Sequence, residues 1–241
     1  MYFRNFFIFK KKIKEILYQL KKKNLTNKKI IVIGNSKKCL DQKIGLEIDK
    51  FDIVVRFNAA PTIGYEQFVG TKTDVVVCNE LVFNNKLDEL AKDFNREGIQ
   101  KNFIKNQKNK MIFAILENKK NINELDYQKI AIKNDVILFS NELNHILRYM
   151  ISSNFNYINK LYYYKFGKKL SAGLIFISIM QLLNIKPYIF GFDLDKNNNN
   201  YLSYYSKSNV TLSSDHDFSY EKSLINKFLN EKKIFDFSES K

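Results

Sequence analysis

The chain has 241 residues, 45% of them hydrophobic and 27% charged, with a formal net charge of +15. That length supports one large domain with its own core, and the composition excludes a disordered chain. Two cysteines, Cys39 and Cys78, exclude the dense disulfide framework of a small secreted domain and read as free thiols of a reducing cytoplasm.

Residues 2–23 read as one basic amphipathic helix. Phe6, Phe9, Ile13, Ile16, Leu17 and Leu20 recur at helical spacing, and Lys10, Lys11, Lys12, Lys14 and Lys21–Lys23 supply the charge. The lysines interrupt the apolar stretch and no small-residue cleavage site follows, so it is not a secretory signal. No run of 18 apolar residues predicts a transmembrane helix. An apolar stripe flanked by lysines fits two arrangements: a helix in a membrane interface with its lysines on anionic headgroups, or a helix packed on the domain.

The domain proper is expected over residues 28–237, where strands alternate with helices. Ile30–Ile33, Asp52–Phe57, Asp74–Cys78, Met111–Leu116, Asp135–Phe139 and Tyr188–Phe190 read as strands. Residues 84–95, 141–151, 172–184 and 218–231 read as helices. This alternation predicts a single Rossmann-like α/β/α sandwich with a mostly parallel sheet. In open parallel sheets ligands bind outside the carboxyl ends of the strands. The polar residues placed there are Asn35, Ser36, Asn58, Asn79, Glu80 and Asp193. Any one of them is an ordinary turn former; as a set along one edge they favour a site. An amide both donates and accepts hydrogen bonds, which suits a base or a ribose. Gly34, directly after a strand, would let backbone N–H groups approach a phosphate.

Residues 56–73 carry the most specific signal: Arg56, Asn58, Ala60, Pro61, Thr62, Gly64, Tyr65, Glu66, Val69, Gly70, Lys72 and Thr73 stand in one string. Together with Ile33-Gly34-Asn35-Ser36 this resembles the large sialylmotif of the animal and plant sialyltransferase family. Ser171-Ala172-Gly173 before a helix and Phe190-Gly191-Phe192 after a strand resemble the small motif, with Ala172 where the family has Thr. Ser203-Tyr204-Tyr205-Ser206 resembles the third motif without its His. His216 and Glu221 stand in the His-x-x-x-x-Glu pattern of the last motif. The small motif here has no Cys to pair with the large one, as expected of a bacterial-type, cytoplasmic enzyme, peripheral on the inner membrane face.

The resemblance implies a variant GT-A-like fold and a transferase that moves sialic acid from CMP-sialic acid to a glycan hydroxyl, such as one on a lipo-oligosaccharide. It implies inversion by single displacement, no metal and no cofactor beyond the donor. His216 is expected as general base, with Asn35, Ser36, Asn58, Ser171, Gly173, Tyr204 and Tyr205 around the donor. Glu221 would orient His216 or stabilise the first turn of its helix. His145, in an apolar stretch, reads as structural. Asp193-Leu194-Asp195 is a rival Mn²⁺ site, but two aspartates do not complete a coordination shell. CMP-Kdo or another CMP-activated acidic sugar is the alternative donor. An inactive CMP-binding relative is a further reading. From a different class comes a basic membrane- or nucleic-acid-binding module without catalysis; nucleic acid is not the expected partner.

Overall fold

The computed structural model describes residues 2–84, 86, 103–116, 124–140, 147, 170–193, 203–205 and 218–239, with side chains from Lys11 onward except Thr26, Glu124, Phe218 and Glu239. A seven-stranded sheet organises them. Its strands are β1 (Ile30–Ile33), β2 (Ile53–Phe57), β3 (Val75–Asn79), β4 (Met111–Leu116), β5 (Asp135–Ser140), β6 (Tyr188–Phe190) and β7 (Phe235–Asp236), in the order β5-β4-β3-β2-β1-β6-β7. Every pairing between them is parallel. Strands of this kind are covered on both faces, so they read as continuous apolar runs rather than alternating ones. Ile30–Ile33 is buried throughout, and Val75–Cys78 likewise.

The helices are α1 (Tyr2–Lys22), α2 (Gly45–Ile48), α3 (Glu66–Val69), α4 (Glu80–Phe83), α5 (Glu124–Ala131), α6 (Ala172–Leu182) and α7 (Phe218–Asn230). One face of the sheet, through Val32, Val55, Val77 and Phe113, packs against α1, α6 and α7. The opposite face has two parts. Ile31, Ile33, Val54 and Phe190 meet α2, α3 and the Tyr204-Tyr205 pair. Val76, Cys78, Ile112 and Ala114 meet α4 and Ile130 of α5. The result is the expected α/β/α sandwich.

Helix α6 explains its own position. Leu174 through Met180 are all buried; a helix apolar on every side must be enclosed, here between sheet and outer helices. Helix α1 stops where Asn24 adopts a left-handed conformation, φ 54°, which asparagine tolerates better than most residues. Of the two arrangements its stripe allowed, α1 packs on the domain along its described side chains. Ile13, Ile16 and Leu20 are 1%, 7% and 0% exposed within the main core.

The strands lie within one residue of their expected bounds. Five elements were not anticipated: β7, α5 and the single-turn helices α2, α3 and α4. Strand β7 is only two residues long, too short for a periodic pattern. Helix α5 buries only Ile130 fully, so its sequence carries little amphipathic signal. The helices expected over 84–95 and 141–151 lie outside the described residues apart from Asn84, Lys86 and Leu147.

Candidate active site

The chain lays β1 to β5 outward in one direction and then returns to the other side of β1 with β6. The carboxyl ends of β1 and β6 therefore flank the topological switch point, where such sheets open a crevice. Ile33 pairs with Arg56 across β1 and β2, which sets Asn35 level with Asn58 when the register is extended by two. Both asparagines lie on one edge of the sheet, as the sequence predicts.

At the switch point two glycines touch. The Gly34 N–H donates to the Phe190 carbonyl at 2.7 Å, and a Cβ on Gly34 would stand 2.4 Å from the Gly191 carbonyl oxygen. Gly191 has φ +72°, and its Cβ would lie 2.1 Å from Cys39 Sγ. Gly34 thus allows close packing of the β1 and β6 ends. Its own N–H is taken by the Phe190 carbonyl.

The two residues that follow bind the third motif. Asn35 Nδ2 donates to the Tyr205 hydroxyl at 3.3 Å, and its carbonyl accepts from the Tyr204 N–H at 3.0 Å. The Ser36 N–H donates to Gly191 O at 3.0 Å, its Oγ accepts from the Lys38 N–H at 3.2 Å, and it bridges Ser203 in antiparallel fashion. Tyr204 donates its phenol proton to the Pro61 carbonyl at 2.7 Å and packs edge-on against Tyr65 and Tyr205 at 5.0 and 4.9 Å. Burial pushes the Tyr204 phenol above its ordinary pKa, with Arg56 acting in the opposite sense. In this arrangement Tyr204 supports the 60–65 segment, and its proton is committed to Pro61 rather than to a leaving phosphate.

Asn58 sits at φ 53°. Its N–H donates to Val77 O at 2.7 Å and its Oδ1 accepts from the Asn79 N–H at 3.0 Å. Asn79 in turn caps α4 by accepting from the Val82 N–H at 3.0 Å. The Asn58 amide oxygen thereby stitches the ends of β2 and β3 together.

Ser171 caps α6, its Oγ accepting from the Leu174 N–H at 3.3 Å. A Cβ on Gly173 would lie 3.3 Å from the Phe192 ring and 3.7 Å from that of Phe57. The first turn of α6 is therefore against the carboxyl ends of β2 and β6. The N–H groups of Ala172 and Gly173, at positions with no acceptor in their own helix, start that turn. The Ser171 N–H and hydroxyl both donate to Glu221, at 2.5 Å to Oε1 and 2.5 Å to Oε2. Glu221 is 5% exposed and stands in the first turn of α7. Its carboxylate is thus held where two helix N-termini meet, the end of a helix that favours negative charge. The sequence offered two roles for Glu221; the structure adds a third, a clasp between the small and last motifs. The Ser171 hydroxyl proton is thus committed to Glu221, which leaves its oxygen as an acceptor.

Sequence reasoning left Arg56 without a role. It is 4% exposed. Its Nε donates to Lys72 O at 3.0 Å and Thr73 Oγ1 at 3.1 Å, and its Nη2 to Val69 O at 2.5 Å. Burial pulls its pKa down, opposed by nearby Tyr204 and Asp49. Asp49 accepts from the Thr71 and Lys72 N–H groups, each at 2.9 Å, and from Thr71 Oγ1 at 2.8 Å. Burial would raise its pKa, but these bonds lower it on balance. Much of the 56–73 string is therefore scaffolding that fixes the strand ends. The signal was present: an arginine inside the apolar run Ile-Val-Val-Arg-Phe must be paired.

His145, Asp195, His216 and Asp217 lie outside the described residues. Asp193 pairs with Lys38 at 3.4 Å. Among the described residues no group of three or more His, Cys, Asp or Glu could hold a metal ion.

A wholly parallel sheet with helices on both faces and its motif residues gathered at the switch point places the molecule in the Rossmann-like α/β class. Residues 3–233 match glycosyltransferase family 29 (sialyltransferase), and the chain belongs to that family. A beta-galactoside alpha-2,6-sialyltransferase 2 of Danio rerio is 39% identical over 71 residues, covering 30% of this chain and 13% of the relative. A CMP-N-acetylneuraminate-beta-galactosamide-alpha-2,3-sialyltransferase 1 of Mus musculus is 37% identical over 76 residues, covering 32% and 21%. These alignments thus span about a fifth or less of the curated relatives' length. A crystal structure of a mammalian sialyltransferase shares the fold, with TM-score 0.57 and 17% identity over 94% of this chain and 78% of that one. Another, in complex with Gal-beta-1-3GalNAc-ortho-nitrophenol, has TM-score 0.54 and 16% identity, with the same coverage.

Proposed function

We propose that the protein transfers sialic acid from CMP-sialic acid to a glycan hydroxyl with inversion at the anomeric carbon. The observation that carries this reading is the meeting of three sequence motifs at one edge of the sheet. Asn35 is bonded to the Tyr204-Tyr205 pair, the first turn of α6 packs against Phe57 and Phe192 at the carboxyl ends of β2 and β6, and Glu221 ties the last motif to Ser171.

In this reading the acceptor oxygen attacks the anomeric carbon as the bond to the CMP phosphate breaks. The acceptor proton passes to His216, and the electron pair of the broken bond leaves on CMP. A phosphate monoester is a competent leaving group that needs hydrogen bonds and positive potential rather than a strong acid. The N–H groups at the start of α6 offer both. Asn35, Ser36, Asn58, Ser171, Gly173 and Tyr205 form or brace the donor site. Tyr204, buried and bonded to Pro61, is no base: its raised pKa keeps it protonated. His216 is assigned as base from the His-x-x-x-x-Glu pattern it shares with the family's last motif, and an imidazole is the side chain suited to take a proton at neutral pH. No metal enters the scheme, because a monophosphate leaving group carries no diphosphate for one to bridge.

The acceptor to try first is a β-galactoside, the class named in the relatives. Cys39 and Cys78 are buried free thiols in different core clusters. Free thiols are in keeping with a reducing, cytoplasmic location.

CMP-Kdo is the alternative donor, since contacts to CMP do not distinguish the two sugars. The test is CMP release from each donor by the full chain. Faster turnover of CMP-sialic acid is expected. Preference for CMP-Kdo would overturn the donor assignment, and release from neither would overturn the enzyme reading.

A further inference from the structure

The positive charge of this chain is not spread evenly. Ten of its 40 basic residues and one of its 25 acidic ones fall within residues 1–29, so that stretch carries +9 of the +15. The other 212 residues carry +6. A general lysine bias does not produce that asymmetry.

Helix α1 shows how the charge is displayed. Ile13, Ile16 and Leu20 are locked into the core, so insertion of that face into a bilayer would require the domain to open. Lys11, Lys14, Lys21 and Lys22 are exposed on the other side, and Glu15 is the single acid there. Tyr18 stands among them, 61% exposed, with Lys22 Nζ 4.6 Å from its ring centroid. The helix is 21 residues long, about 30 Å. It is anchored at its end, where Lys23 pairs with Asp135 at 2.7 Å.

We propose that this exposed face of α1 docks the enzyme flat on an anionic lipid surface through headgroup contacts, without inserting its buried stripe. Lysine is a compact, strongly hydrated charge on a flexible stem; it suits a diffuse field of headgroups better than the paired acceptors of a defined site. A juxtaposed lysine cluster gains from each charge within a Debye length of an anionic membrane. Tyr18, apolar in body and polar at its tip, suits the headgroup level. This inference does not depend on which donor the enzyme uses.

The test is co-sedimentation of the full chain with phosphatidylglycerol–phosphatidylcholine vesicles and with pure phosphatidylcholine vesicles. Two variants carry the same change in net charge. One reverses the face (Lys11→Glu, Lys14→Glu, Lys21→Glu, Lys22→Glu). The other reverses four exposed lysines elsewhere (Lys43→Glu, Lys50→Glu, Lys108→Glu, Lys129→Glu). Wild type should bind the anionic vesicles only, and added salt should release it. The α1 variant should lose at least tenfold in partitioning, the control much less, with both folded and both releasing CMP from soluble donor as wild type does. Equal loss in the two variants, or no binding by wild type, would overturn the proposal. Tighter, α1-dependent binding to duplex DNA or RNA than to vesicles would assign the face to nucleic acid instead.

Discussion

Gly191 shows how strongly single positions at the strand ends are determined. Its φ of +72° disfavours a side chain, and a Cβ would collide with Cys39 Sγ at 2.1 Å. The left-handed conformation costs a non-glycine residue about 1–2 kcal/mol, and overpacking costs about 1–3 kcal/mol more. Gly191→Ala should therefore lower unfolding free energy by several kcal/mol in a denaturant titration, whereas Gly64→Ala, at φ +84° with nothing within 4 Å of its Cβ, should show only the conformational part. Asp49 gives a pH-dependent counterpart. Its folded pKa is depressed by the bonds from Thr71 and Lys72. The stability it contributes is thus present above the unfolded value, about 3.9, and is lost as pH falls through the folded value. Comparing unfolding of wild type and Asp49→Asn across acid pH should show the gap between them closing below about pH 4. A gap that persists there would mean that the Asp49 charge does not matter.

At the scale of elements, helix α1 belongs to the domain. Removing residues 1–20 would strip Ile13, Ile16 and Leu20 from the core, a loss of roughly 5–9 kcal/mol at about 1.5–3 kcal/mol for each buried side chain. Total stabilities are only about 5–15 kcal/mol. That truncation should yield unfolded or insoluble protein, with no cooperative thermal transition. The strands were legible in the sequence because parallel strands buried on both faces announce themselves as apolar runs, Ile30–Ile33 and Val75–Cys78 among them. The shared edge of Asn35 and Asn58 was legible because each directly follows a strand of what the alternation marked as a parallel sheet. What the residues do there did not. That the Ser171 hydroxyl would be committed to Glu221, fifty positions away, and the Tyr204 phenol to Pro61, depends on packing between distant segments, and no local pattern encodes it. The helix-or-membrane ambiguity of α1 had the same origin: a stripe records that a face is buried, not what buries it.

Across the whole molecule, motif residues meet at the carboxyl ends of β1 and β6, and residues 1–29 carry +9 of the +15 net charge. The proposed donor site at the switch point and the proposed docking face on α1 involve different residues, so each should be removable without the other. Activity on a soluble acceptor should survive exhaustive chelation. Loss that Mn²⁺ restores would point to a metal site and to Asp193 as a ligand, in place of its pairing with Lys38. The proposed reaction moves sialic acid from its CMP donor with His216 as base. The direct measurement is transfer to a β-galactoside by wild type, His216→Ala and His145→Ala, with CMP affinity followed in parallel. General-base catalysis contributes about 10²–10⁴-fold. His216→Ala should lose transfer by that factor with CMP affinity nearly unchanged, and His145→Ala should match wild type. A folded His216→Ala enzyme that turns over at the wild-type rate would contradict the account.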